Sequence, residues 1–311
     1  MGYFTRFVGL SFIIWPMRLA KFALLPLLLL LVACGANAAV TVTPSEPAVY
    51  IENKGSDTLV NLALAWAERY QMEHPEVHIS VSGGGSGTGI AALVNGTVQI
   101  ANASRQIKPE ELAEARANGI EPVEFVVARD AIAVIVHPQN PVSRLTLQQV
   151  SDIYSGKINN WAEVGGEDRP IVRLSRETNS GTHVYFLETV LRMGDKQNTT
   201  LFAMDTLLLP SSEGIVYEIR QNPNAIGYDG LGYVPPDLKT IAIARAEGEP
   251  YVLPSVETVN NGSYPIARDL YMYTPGQPVG AVRAYLDWIL SPEAQAIVAE
   301  LGFVPVATES R

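Results

Sequence analysis

Three stretches of this chain share one composition and one local context, and together they restrict its fold more than any other feature. They are Gly55-Ser56-Asp57-Thr58, Ser82-Gly83-Gly84-Gly85-Ser86-Gly87-Thr88-Gly89 and Ser175-Arg176-Glu177-Thr178-Asn179-Ser180-Gly181-Thr182. Each follows a stretch with strand character and opens one with helical periodicity. Val49-Tyr50-Ile51-Glu52 reads as the strand before the first, and Leu59, Leu62, Leu64, Trp66 and Tyr70 then lay an apolar face along a helix over 59–70. His78-Ile79-Ser80-Val81-Ser82 alternates as a strand before the second, with a helix near 90–95 after it. Residues 170–174 and 180–191 repeat the pattern around the third. Strand–turn–helix units recurring in this way predict an α/β fold built on open sheets, in which ligands lie beyond the carboxyl ends of the strands.

The rest of the chain fits that plan. Residues 100–103 form a short strand, and 109–118 a helix that Gly119 stops. A long apolar and β-branched run over 125–137 is interrupted by Arg129-Asp130, which reads as two strands meeting at a polar break. Helices are predicted over 146–154, 281–290 and 292–301, and strand and turn over 225–233.

The three turns carry the chemistry. Each offers hydroxyls and backbone N–H groups at a helix N-terminus, where unsatisfied donors and the helix dipole both favour an anion. Glycine lets the backbone approach such a ligand closely. Any one of these turns could be an ordinary N-cap, since Ser and Thr are preferred there anyway. Three in one chain, one of them with an arginine whose planar fork suits an oxyanion, favour a binding site. Nucleotide motifs fail: the glycine run has neither the G-x-G-x-x-G spacing nor a following Gly-Lys-Ser/Thr. Ser86 is not a nucleophile elbow, because Thr88 stands where that motif needs glycine. His74, His78, His137 and His183 show no metal spacing, so neither metal nor cofactor is expected, and His183 reads as a helix-surface residue.

The N-terminus reads as an export signal. Arg6, Arg18 and Lys21 precede an apolar run over 22–33 that Pro26 interrupts and that is too short to span a bilayer. Residues 1–33 are therefore expected to be a signal peptide of lipoprotein type. The run ends in Leu31-Val32-Ala33-Cys34, and Cys34, the only cysteine, is the expected site of lipidation. Cleavage after Ala38 is the competing reading. Residues 34–48 form an expected flexible tether. The net charge of −10, with 47% hydrophobic and 17% charged residues, describes a globular chain and argues against a nucleic-acid partner, which would need basic clusters.

At the three turns the chain resembles the phosphate-binding proteins of bacterial phosphate ABC transporters, within the type II periplasmic-binding-protein superfamily. The likeness covers nearly all of 49–307. Its most specific element is Arg176 followed by Ser180-Gly181-Thr182; Ser263-Tyr264-Pro265-Ile266-Ala267-Arg268, Leu270-Tyr271-Met272-Tyr273 and the stretch 290–306 are also similar. The resemblance implies two lobes joined by a two-strand hinge, lobe one being 49–130 plus 260–311 and lobe two 131–259, with crossovers near 128–133 and 260–265. It implies phosphate held by Thr58, Leu59, Ser86 and Arg105 from one side and by Arg176, Ser180, Gly181 and Thr182 from the other. Ser56, Asp57, Gly87 and Glu177 are further candidates in the same turns. Arg176 would be the main charged anchor and Arg105 a lesser one. Some members place an Asp after the serine of the third strand, where it accepts the proton of hydrogen phosphate; here Arg105 follows Ser104, as in other members. Asp57 or Glu177 could substitute, or Arg105 could pair with Glu177.

The function implied is extracytoplasmic phosphate binding for an ABC permease and ATPase, by a monomer anchored through lipid at the membrane surface and without catalysis. Sulfate, molybdate or tungstate is the alternative ligand, and a sensor or adhesin the alternative role. An enzyme such as a phosphatase would need a metal or an activated nucleophile, and the sequence offers neither.

Overall fold

A computed structural model describes residues 48–306. The expected leader, Cys34 and all but the last residue of the expected tether lie outside them. In the first part of the chain, strands and helices alternate: β1 (Val49–Gly55), α1 (Asp57–Glu73), β2 (Val77–Ser82), α2 (Ser86–Val94), β3 (Ile100–Ala103) and α3 (Pro109–Ala117). β1 pairs in parallel with β2 on one side and β3 on the other. All three strands therefore point their carboxyl ends the same way, and the turns that leave them share one edge.

The next strand, β4 (Val123–Val136), is continuous. The sequence suggests two strands meeting at Arg129-Asp130; the break does not occur, because the Asp130 carboxylate is met inside the sheet by Arg268, with Nη2 donating to Oδ2 at 2.9 Å. After β4 come β5 (Arg144–Thr146), α4 (Leu147–Tyr154), β6 (Val172–Arg176), α5 (Gly181–Phe186), β7 (Leu207–Leu209), α6 (Ser212–Gln221) and β8 (Ala225–Gly230). The chain continues through β9 (Lys239–Thr240), β10 (Ala242–Ala244), α7 (Val256–Asn260), β11 (Ala267–Thr274), α8 (Gly280–Ile289) and α9 (Pro292–Glu300). α5 runs on into a wider turn over Leu187–Leu191, which accounts for the longer helix that the sequence suggests there.

The strand order β2-β1-β3-β11-β4-β8-β6-β7 makes β4 the member common to both halves of the sheet. Its first part pairs antiparallel with β11 and its last part, from Ile132, with β8. The fold is thus α/β with two open half-sheets that share a strand. Three further ties cross beside the middle of β4. Ile132 donates its N–H to the Ile266 carbonyl at 2.8 Å, the Tyr264 hydroxyl donates to the Ile132 carbonyl at 2.6 Å, and Arg129 exchanges backbone hydrogen bonds with Val304 at 2.8 and 2.9 Å.

Each half has its own core. Ile51, Leu59, Leu62, Trp66 and Tyr70 bury against Tyr285, Leu286 and Ile289 of α8 in one. Tyr154, Trp161, Phe186, Tyr228 and Val134 pack in the other, with the Phe186 and Tyr228 rings stacked 3.6 Å apart. The helical face read at 59–70 is the buried face of α1, whose bounds exceed that reading by two residues at the start and three at the end.

Candidate functional site

The three turns meet at one point. Thr58 opens α1, is 1% exposed, and its Oγ1 lies 3.0 Å from Oγ1 of Thr182, which is 0% exposed. Ser86 opens α2 behind Gly85, a residue at φ 90°. Its buried hydroxyl accepts from the Ser104 N–H at 3.0 Å and lies 3.2 Å from the Ser104 hydroxyl. Ser180 caps α5, accepting from the Thr182 N–H at 3.2 Å. A Cβ on Gly181 would run into the hydroxyls of both Ser86 and Ser104, so only glycine lets the α5 turn come this close. Helix N-termini from both halves of the sheet therefore converge on a cluster of buried hydroxyls.

Two buried arginines lie near that cluster, one against it and one beyond Asp57. Arg176, at the end of β6 and 1% exposed, donates from Nη2 to Asp57 Oδ2 at 2.7 Å and to the Pro210 carbonyl at 2.9 Å, and from Nη1 to Ser212 Oγ at 2.9 Å. Arg268, near the start of β11, donates from Nη2 to Thr182 Oγ1 at 3.0 Å and to Thr58 Oγ1 at 3.3 Å, and from Nη1 to the Ser104 carbonyl at 3.0 Å. It touches two of the three turns and the strand between them. Arg268 lies in one of the family-like stretches, yet the sequence reading gives it no role. The available signal is its position, a lone cation three residues past the predicted crossover at 260–265.

Arg105 behaves differently. Both of its terminal nitrogens go to Glu111, at 2.8 and 2.7 Å. Pairing with Glu177 does not occur: Glu177 is exposed, and Glu111 sits one turn into α3, six residues away, where its carboxylate also accepts from the Lys108 N–H. Asp57 is engaged by Arg176 and by the Gly84 N–H at 2.9 Å. The Leu59 N–H donates to the Ser56 carbonyl at 3.0 Å, and the Gly87 N–H to the Asn179 carbonyl at 3.0 Å, so both amides are taken. Ser56 is buried, and its side chain makes no capping bond. Asn179 also donates from Nδ2 to the Gly84 carbonyl at 2.9 Å, clasping the glycine-rich turn.

Beneath the arginines lie two carboxylates without solvent. Burial pushes Asp130 up to about 6 against the pull of Arg268, and burial likewise raises Asp229 above the ordinary carboxylate range. His183 is a buried residue, not the helix-surface one that the sequence suggests; burial lowers its pKa, and Nδ1 sits 3.1 Å from Ser175 Oγ. That serine is 2.6 Å from the Tyr228 hydroxyl, and the His183 ring packs on Phe202. The Ser–His contact ties β6, α5 and β8 together, and among the described residues no carboxylate bonds the imidazole as in a catalytic triad. A cavity of about 580 Å³ adjoins the cluster, walled by Ser104, Arg105, Tyr185, Arg268 and Tyr271. Among the described residues no group of three His, Cys, Asp or Glu side chains could hold a metal ion.

This geometry suits an oxyanion, and comparison with known proteins points the same way. A family model described as a PBP superfamily domain matches residues 41–293. The phosphate-binding protein PstS of Pseudomonas aeruginosa is 34% identical over 303 residues, covering 88% of this chain and 92% of that protein. The chain belongs to the phosphate-binding protein family of the PBP superfamily. Another family member, PstS of Bacillus subtilis, is 32% identical over 81% of this chain and 79% of its own length. A putative phosphate ABC transporter substrate-binding protein with bound phosphate from Clostridium perfringens superposes with a TM-score of 0.73 at 33% identity, covering 83% of this chain and all of that one. An ABC-type phosphate transport receptor from Vibrio cholerae gives a TM-score of 0.66 at 27% identity, covering 82% and 100%. Proteins of this family bind substrates for transport and are extracytoplasmic. No helix among the described residues is long and apolar enough to cross a membrane.

Proposed function

We propose that this protein binds inorganic phosphate outside the cytoplasm and delivers it to an ABC permease and ATPase, without catalysis. One observation carries the reading. The buried hydroxyls of Thr58 and Thr182, from opposite halves of the sheet, converge on the Arg268 guanidinium, with the Ser86 hydroxyl beside them against Gly181. Neutral donors preorganised in this way hold an anion even in a chain of net charge −10. The ligand set we propose is Thr58, Ser86, Ser180, Gly181 and Thr182 with Arg268. Arg176 sits behind it, locking Asp57 and the β6 turn in place. The lobes we propose are 49–130 with 260–311, and 131–259, moving about the middle of β4 and the segment before β11 as a hinge. We further propose that Cys34 is acylated and tethers a monomer to the membrane surface.

A calorimetric titration of the mature protein against phosphate, sulfate, molybdate and tungstate tests the ligand. Phosphate is expected to saturate one site and to bind at least about tenfold tighter than sulfate, a difference of about 1.4 kcal/mol. Tighter binding of molybdate or tungstate would reassign the site to another oxyanion, and no saturable heat with any of the four would end the proposal.

A further inference from the structure

Charges do not balance around the hydroxyl cluster. The Arg268 guanidinium reaches it and Arg176 stands next to it on Asp57, while Arg105 is matched by Glu111 at 2.7 Å. Three carboxylates face these two cations: Asp57 on α1, Asp130 on β4 and Asp229 on β8. Asp130 and Asp229 are both 0% exposed. They flank the Gly230 peptide, where Asp229 Oδ1 accepts the Gly230 N–H at 2.7 Å and Asp130 Oδ1 the Leu231 N–H at 3.2 Å. Asp229 is the less well matched of the two. Its Oδ1 also accepts from Ser212 Oγ at 3.0 Å, but its Oδ2 has no hydrogen-bond partner. The nearest cation to Oδ2 is Arg176 at 3.7 Å, and Arg176 makes its 2.7 Å contact with Asp57 instead.

Among the described residues, no other neighbour supplies the missing charge. Burial pushes the phenols of Tyr228 and Tyr233 up, so both stay neutral. Burial lowers His183, so the imidazole beyond Ser175 is neutral too. Glu213 on α6 adds only negative charge. A dianion arriving at this point would add two negative charges to a site that already carries one in excess. Buried groups in that position neutralise rather than remain charged.

We propose that Asp229 takes up a proton as the anion binds, so that anion binding and protonation of this carboxylate are one coupled event. The inference rests on the oxyanion reading given above. Two buried acids that sense each other compete for protons as a pair, and the proton settles where the carboxylate oxygen has no donor of its own, at Asp229 Oδ2. The direction is already visible without the anion, since burial has raised both acids. A bound dianion raises them further. Wherever the pair is ionised in the free protein, it holds a proton in the complex. Affinity for the dianion then weakens as pH rises, by up to about tenfold per pH unit.

Calorimetry of the mature protein with inorganic phosphate, in two buffers of different ionisation enthalpy at about pH 8, above the second ionisation of phosphate, counts the protons taken up. Wild-type protein is expected to take up a large fraction of one proton per phosphate. Asp229→Asn is expected to take up clearly less and to lose most of the pH dependence of its affinity. Phosphate binding with the same heat in both buffers overturns the inference and leaves the binding function intact; absence of any saturable heat overturns both. Uptake in Asp229→Asn equal to wild type also overturns it. Should that variant not fold, Asp130→Asn is read instead: uptake that persists in it keeps the proton on Asp229, and loss of uptake in it overturns the assignment.

Discussion

Arg268 gives Asp130 a contact at 2.9 Å and still reaches both site threonines, whereas Glu111 takes both terminal nitrogens of Arg105. Both arginines hold a carboxylate, but only Arg268 also reaches the hydroxyl cluster. The sequence ranks Arg176 first and Arg105 second; the order proposed from these contacts puts Arg268 first. Replacing Arg268 by Lys keeps the charge that Asp130 needs but removes the planar fork. Hydrogen bonds to charged groups contribute about 1.5–3 kcal/mol each, so Arg268→Lys should weaken phosphate binding by at least about tenfold. Arg105→Ala should change it by less than about threefold, because the arginine acts on Glu111. Titration of both variants with phosphate decides, and a larger loss in Arg105→Ala would reverse the order. The serines and threonines were legible in the sequence because a helix N-terminus announces its own donors within a few residues. The roles of the arginines were not, because they depend on partners as far away as Asp130 is from Arg268.

Strands, turns and helices around the site follow from local pattern, and the sequence shows most of them. α1 and the α5 turn lie where apolar periodicity and capping residues put them. α2 begins earlier than periodicity suggests, inside the glycine run, because Gly85 at φ 90° starts the helix and Gly89 fits against the Lys54 carbonyl. β4 shows the limit of pattern: a polar pair mid-strand looks like a break until its partner on β11 is known. α6 has a clear apolar face at Ile215, Val216 and Ile219, yet its strand partners β6 and β8 fix its place only through the sheet. The proposed leader is a different case, since it rests on charge and hydropathy alone. Its assignment predicts that Cys34→Ala moves the protein from the membrane fraction to the soluble fraction. Unchanged fractionation, together with an intact mass showing a cut after Ala38, would reject the anchor.

At the scale of the whole molecule, β4 is what allows one sheet to behave as two lobes. It pairs with β11 in one half and β8 in the other, and the buried Asp130 sits where the partner changes. Opening about that point would separate Thr58 from Thr182, Ser86 from Gly181 and Asn179 from Gly84; closing would bring all of them onto one ligand. A sheet shared in this way was only half legible, since the alternation of strands and helices implies two layers but not which strand they hold in common. The claim that both halves grip one phosphate is tested most directly by the crystal structure of the protein grown with phosphate. The prediction is a single phosphate between the half-sheets, with its oxygens about 3 Å from Thr58, Ser86, Thr182 and Arg268 together. Phosphate bound by one half only, or away from these residues, would contradict it.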